Sequence, residues 1–348
     1  MSSLSRLLWF RRLVQLLWLS LGILHLLLCP YSKVEESFGI QATHDLYYAN
    51  EQTSFTNIIG DLRQGLRQQS LSNATLSSIP TKDLWDHLQY PGVVPRTFAG
   101  PLVLVTLCRI SHGLLAWILS FVTTTTSGSV YIFLQRLLDD PLLVQFQIRL
   151  ILLLLQTWAW WNMAKAIDVF STTAPWRNLA NTFDVSYEAM FQPSVLPSLI
   201  GNYFLLVSMC QFHVLFYASR LLPNVLATWV CVIAYKYWLR QDMTLAARYL
   251  TVAVVLLRCD VVLLLATVGV SWLLTRQLTL WKALRIGIMT ALVTLAITVP
   301  IDSLLWQHWT WPEGVVCTLY LEYVRRSVEF AFSLCGPSLC FFLILYLF

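Results

Sequence analysis

Residues 30–48, PYSKVEESFGIQATHDLYY, form the densest group of polar, potentially chemical side chains outside the apolar runs of this chain. Pro30 closes the hydrophobic segment before it. Ser32-Lys33-Val34-Glu35 has the Ser-x-x-Glu spacing of a capping box, which predicts a helix beginning there. At about 100° per residue, Phe38, Ala42 and Leu46 make one apolar stripe, while Glu36, Ser37, Gln41, Thr43, His44, Asp45 and Tyr47 fill most of the opposite arc. The expectation is a helix lying on a surface with its acidic face turned to water. By the same geometry Glu35 falls beside the stripe and takes a structural role, leaving Glu36 free.

The composition around this stretch puts it at a membrane. Hydrophobic residues make up 57% of the chain and charged residues 12%, with a mean hydropathy of +0.64. Soluble domains carry about 25% charged residues, so the chain reads as an all-α polytopic membrane protein. The 23 Lys and Arg against 18 acids are scattered among apolar runs. They serve as orientation signals rather than as a nucleic-acid surface, and no nucleic-acid partner is expected. Eight cysteines sit mostly in or beside apolar segments without metal-type spacing, and read as buried free thiols rather than a disulfide or metal framework.

Residues 1–29 comprise a basic start (Arg6, Arg11, Arg12) and a first transmembrane helix, read as a retained signal anchor with its N-terminus in the cytosol. Residues 30–98 are a long polar loop on the far side, with a sequon at Asn73-Ala74-Thr75 and a Gln/Ser/Thr/Asn-rich insert at 49–80. Downstream apolar segments fall near 99–122, 142–163, 196–219, 222–239, 244–257, 258–275 and 286–301. The connector carrying Arg276, Lys282 and Arg285 has no acid and reads as cytosolic; the 164–195 connector points the same way. Both can be cytosolic only if 99–141 enters and leaves on the lumenal side, as a re-entrant hairpin broken at the TTTTSGS of 123–129. The remaining divisions are a bundle at 142–301, a lumenal amphipathic segment at 302–329 and an apolar segment at 330–348.

With that parity, clusters distant in sequence converge on one membrane face beside the opening helix. Glu35 and Glu36 are candidates for general-base work, because partial burial tunes a carboxylate's proton affinity. His44 and Asp45, with Gln41, could bind a sugar or simply make a solvated helix face. Asp86 and His87 open a turn-rich run whose Arg96 suits a phosphate, or the headgroup level of a bilayer. His213, Arg220 and Asn224 bracket the end of one span. Arg258 begins another, where a boundary arginine is held either by a partner such as Asp260 or by a phosphate. Asp302, Trp306 and Glu313 lie in an aromatic segment that suits the interfacial belt or a sugar-stacking surface.

The chain resembles the endoplasmic-reticulum mannosyltransferases that use dolichyl-phosphate mannose. The matching runs are KVEESF with QATHD (33–45), DHLQYPGVVPRTFAGP (86–101), QFHVLFY with RLLPNVL (211–226), LRCD (257–260), and IDSLLW with TWPEG (301–314). The resemblance implies a GT-C glycosyltransferase fold with a long first lumenal loop carrying amphipathic helices. It implies inverting transfer of mannose from a dolichyl-phosphate mannose donor to a dolichyl-diphosphate oligosaccharide acceptor, no metal or other cofactor, and a multi-pass protein of the endoplasmic-reticulum membrane with its site facing the lumen. The family's acidic pair maps onto Glu35 and Glu36 and favours Glu35 as the base. Where the family has Glu after the boundary Arg, this chain has Asp260. Beyond Gly314 the likeness stops and a later His-Lys-Glu-x-Arg-Phe motif is missing, so the chain reads as C-terminally truncated. The alternatives in other classes are a polytopic lipid or solute transporter, and an inactive shortened form acting only through binding.

Overall fold

The computed structural model describes residues 3–52, 86–89, 94–123, 140–173, 196–319, 322 and 325–326. Every regular element among them is helical: α1 (Ser3–Leu28), α2 (Ser37–Gln52), α3 (Asp86–Gln89), α4 (Ala99–Thr123), α5 (Pro141–Thr173), α6 (Leu196–Cys210), α7 (Phe212–Tyr217), α8 (Pro223–Leu239), α9 (Met243–Val252), α10 (Val261–Leu274) and α11 (Leu280–Leu305). A further helix covers 312–319. Among the described residues, four segments are long and apolar enough to cross a membrane: Trp9–Leu28, Ala99–Trp117, Pro141–Ser171 and Leu280–Leu305. The chain is thus an all-α polytopic membrane protein.

Local chemistry sets several boundaries. Pro141 and Pro223 stand at helix starts, where their missing N–H costs nothing. Asp140 accepts from the N–H of Leu142 at 2.8 Å, and Asp242 from that of Leu245 at 3.0 Å, as N-caps. Gln241 turns the chain between α8 and α9 at φ 64°. After α9 the helix widens to a π turn, Ala253–Leu257, and breaks into extended backbone at Arg258. The predicted 196–219 segment is divided at Gln211 into α6 and α7.

Helix α5 is the centre, packing against α1, α4, α6 and α8; α8 then carries α9, and α9 carries α10 and α11. Leu104 and Cys108 of α4, Val144, Ile148 and Leu152 of α5, and Leu221, Leu222 and Val225 share one apolar core. Helix α11 buries only Thr294 and Asp302 and exposes Ile288, Met289, Leu292, Val293 and Ile297, as suits a helix facing lipid.

Polar ties define two ends of the bundle. At one, Arg11 meets Asp168 at 2.7 Å, and Asp168 also accepts from the Gly201 N–H at 2.8 Å, joining α1, α5 and α6. At the other lie the end of α1, the start of α2 and the C-terminus of α11. Helix α4 starts there beside Asp302 and by Ser111 has reached Gln147, at 2.9 Å, in the early turns of α5. The TTTTSGS break expected after it, like the sequon at Asn73 and the segment 330–348, lies outside the described residues.

Two local expectations are revised. The helix opens on a 3₁₀ turn, Val34–Glu36, with Lys33 rather than Ser32 at its N-cap position and no cap bond from the Lys33 side chain, while the Glu35 half of the expected capping box lies outside the described side chains. The face of α2 opposite its stripe is not turned wholly to water either. Glu36, Thr43 and Asp45 are buried, and only Ser37 and His44 of that arc are exposed. The reason is that α2 is covered on a second side, by α4 and α3. The stripe itself packs as predicted, with Phe38, Ala42 and Leu46 against Phe98 and Trp306.

Candidate functional site

Glu36 is fully buried, and two arginines converge on it. Its Oε1 accepts from Arg220 Nη1 at 2.9 Å and its Oε2 from Arg149 Nη2 at 3.1 Å. The same guanidinia donate to the backbone after α1: Arg149 to the Pro30 carbonyl at 2.8 Å, Arg220 to those of Tyr31 at 2.7 Å and Cys29 at 3.2 Å. Carbonyls at a helix C-terminus lack intrahelical donors and attract cations. The two positive charges are thereby balanced by one carboxylate and three carbonyl dipoles. This corrects the local reading in which Glu36 stood free. Glu35 lies on the same 3₁₀ turn, and its side chain is outside the described residues.

Further along α2, Asp45 Oδ2 accepts from the His87 backbone N–H at 3.1 Å and lies 2.6 Å from His87 Nδ1. His87 Nε2 lies 3.2 Å from the Leu305 carbonyl, so this dyad joins α2, α3 and the end of α11. Phe38, Phe98, His87 and Trp306 pack ring on ring around it, and the Trp306 indole N–H donates to the Arg96 carbonyl at 2.9 Å. Asp302 is buried and accepts from the Phe98 N–H at 2.8 Å and the Thr97 hydroxyl at 3.3 Å, satisfying donors at the start of α4.

Over this platform opens a cavity of about 430 Å³. Its wall draws on Ser37, Gly39 and Gln41 of α2, Arg96, the 221–226 turn, Arg258 and Glu313. Gly39 is required where α2 crosses that turn, since a Cβ there would sit 2.6 Å from the Leu221 carbonyl oxygen. A second, more apolar groove of about 640 Å³ runs between Trp160, Phe204, Ala227, Val232, Val261 and Leu264. Asn224 and Arg258 line both.

Arg258 and Asp260 form a two-point pair at 2.7 and 3.1 Å, which raises the proton affinity of the guanidinium and lowers that of the carboxylate. Burial pushes the Cys259 thiol up to about 11. Burial likewise raises the Glu313 carboxyl, opposed by the Cys259 N–H it accepts at 3.1 Å and by the Arg96 and Arg258 charges. Such a chamber can hold polyhydroxyl and anionic groups beside an acid of raised proton affinity, with an apolar channel leading away.

Of the residues singled out in the sequence, Gln41, Arg96, Asn224, Arg258 and Glu313 come together in the polar cavity. Glu36 and Arg220 pair beneath it; Asp45, His87, Asp302 and Trp306 are engaged in the platform. His44 and Asp86 are exposed, and His213 is exposed on α7 and lines neither cavity. His44, Asp45 and Asp86 offer a ring nitrogen and two carboxylates within 4.8 Å of one another, the donor set of a metal site. Asp45 is already committed to His87. Sequence reading passes over Arg149, although a lone arginine within an apolar run is itself the signal. The described cysteines, 29, 108, 210, 231, 259 and 317, are free thiols.

The profile of the Alg9-like mannosyltransferase family matches residues 85–317. The chain is 28% identical over 294 residues to the Dol-P-Man:Man(7)GlcNAc(2)-PP-Dol alpha-1,6-mannosyltransferase of Arabidopsis thaliana, covering 84% of this chain and 44% of that protein. The proteins of the same name from Drosophila melanogaster and Saccharomyces cerevisiae are 28% identical over 292 residues and 27% over 291, with 32% and 43% of their lengths covered. The chain therefore spans less than half the length of each. No solved structure matches.

Proposed function

The chain belongs to the Alg9-like mannosyltransferase family, and on that premise we propose that it moves mannose from dolichyl-phosphate mannose to a dolichyl-diphosphate oligosaccharide. The relatives' names point to α-1,6 addition to the seven-mannose acceptor. The observation that carries the reading is the seam at Asn224 and Arg258, where a polar chamber meets an apolar groove. A lipid-linked phosphosugar needs those three things in that order: a sugar pocket, a cation and amide for the phosphate, and an apolar path for the isoprenoid.

In this reading the acceptor hydroxyl oxygen attacks the anomeric carbon from the face opposite the phosphate. The carbon–oxygen bond to phosphate breaks with inversion, and the phosphate leaves with the electron pair, held by Arg258. Glu35, two residues before the cavity-lining Ser37, takes the hydroxyl proton as general base. Glu36, fixed by Arg149 and Arg220, orients the turn that carries it. Gln41, Arg96 and Glu313 contact sugar, while Asp45, His87, Asp302 and Trp306 hold the chamber wall. The setting is the endoplasmic-reticulum membrane with the chamber facing the lumen.

The test is complementation. The chain is expressed in cells lacking the α-1,6-mannosyltransferase and their lipid-linked oligosaccharides are profiled. Extension beyond seven mannoses is expected; persistent accumulation at seven, with the protein present in the membrane, would overturn the assignment.

A further inference from the structure

Two buried polar atoms of opposite charge face one another in the polar cavity without a hydrogen-bond partner among the described residues. Arg96 Nη1 and Glu313 Oε1 are 3.9 Å apart, and neither atom makes a hydrogen bond. That separation is too long for a hydrogen bond, and a single oxygen could stand about 2.8 Å from both once the partly exposed Arg96 side chain gives way. Leaving these two buried atoms without a hydrogen bond is costly, which marks the gap as a place for a bridging group.

What completes it is narrowly defined. The group must donate to a carboxylate oxygen and accept from a guanidinium nitrogen through one atom, which the O–H of an alcohol or of water does and which an ammonium, a carbonyl or an ionised phosphate oxygen does not. Glu313 is held still for this task, because its other oxygen accepts from the Cys259 N–H at 3.1 Å and its side chain is 2% exposed. The Arg96 side chain is 31% exposed, so it can give way as the hydroxyl enters. Glu313 is thus docked on the residue that follows Arg258, and Arg96, Arg258 and Glu313 all line the same cavity.

We propose that the Arg96–Glu313 gap is a hydroxyl-recognition subsite that reads one hydroxyl of the sugar attached to the lipid phosphate, and so sets which sugar donor is accepted. This rests on the lipid-phosphosugar reading of the seam. The adjacency to Arg258 assigns the subsite to the donor sugar rather than to the acceptor. Glu313 acts here in binding and specificity, and the proton-transfer role stays with the turn that carries Glu35.

The experiment is equilibrium binding to the full chain in nanodiscs, with short-chain prenyl phosphate, its mannosyl ester, and the four monodeoxy forms of that ester. In the unaltered protein one deoxy form binds about ten- to a hundred-fold more weakly than the parent, the range for a hydrogen bond to a charged group. In Glu313→Gln and in Arg96→Met that ratio falls to about one, while the ratios for the other three deoxy forms hold and prenyl phosphate binds as before. Unchanged prenyl phosphate binding also reports that the variants are folded. Deoxy forms that all bind like the parent, or a selective one whose ratio survives both substitutions, would overturn the subsite. If prenyl phosphate binds and the sugar adds nothing, the subsite falls alone. If prenyl phosphate itself does not bind the unaltered chain, the lipid-phosphate reading falls and takes the subsite with it.

Discussion

Glu36 and Arg220 form a buried ion pair at 2.9 Å although 184 residues separate them in the chain. With Arg149 closing on the other carboxylate oxygen, the pair fixes the entry to α2 against α5 and the turn before α8. Removing one partner of a buried pair leaves an uncompensated charge, which typically costs about 3–5 kcal/mol. Glu36→Gln is therefore expected to lower the unfolding free energy by that order. Adding Arg149→Met should restore part of the loss, because it removes one of the two stranded guanidinia. Strictly additive losses in denaturant titrations of the purified protein would contradict the coupling.

Glu35 gives the complementary expectation. On the proposed mechanism, its substitution by Gln should slow single-turnover mannosyl transfer about 10²- to 10⁴-fold. Full activity in the variant would remove Glu35 from the proton-transfer role.

The acid at the cavity wall makes stability depend on pH. Burial raises the Glu313 carboxyl above its ordinary 4.5, so the folded chain holds this proton more tightly than the unfolded one. The contribution of Glu313 to stability is then greatest below 4.5 and is lost as pH rises through the folded-state value. Glu313→Gln abolishes that titration, and its unfolding temperature should decline less than the parent's from pH 4.5 toward neutrality. Parallel profiles for the two proteins across that range would count against a buried, titrating Glu313.

Gly39→Ala tests the crossing of α2 over the 221–226 turn. The added methyl would meet the Leu221 carbonyl oxygen at 2.6 Å, and backbone cannot swing aside as a side chain can. Overpacking of this kind costs about 1–3 kcal/mol. Because Gly39 and Leu221 both line the polar cavity, weaker donor binding should accompany the loss of stability. An alanine variant as stable as the parent would show that the helix and the turn can separate without consequence.

How far the sequence foretells this arrangement differs from residue to residue. The stripe Phe38, Ala42 and Leu46 is legible because a helix of period 3.6 has one deep face, and that face packs as read. Gln41, Arg96, Asn224, Arg258 and Glu313 come together in one cavity, in keeping with the tendency of boundary charges to collect where apolar runs leave a polar face. The state of Glu36 is not legible, because its partners lie 113 and 184 residues away and a helical wheel contains no information about them. The start of the helix on a 3₁₀ turn behind Lys33, rather than at Ser32, has a related cause: ties from Arg149 and Arg220 to the carbonyls of residues 29–31 set the chain path into α2. Trp306 and Asp302 show the reverse ambiguity. Their residue types suit an interfacial or sugar-facing role equally well, and only the Phe98 N–H and the Arg96 carbonyl show what holds them.

Asn224 and Arg258 belong to both cavities, so whatever occupies the chamber and trails into the groove must thread past that pair. On the proposed reading, a spent lipid phosphate still held by Arg258 would occupy the place its replacement needs, and successive transfers would then be spaced by the time the old carrier takes to slide back into the bilayer.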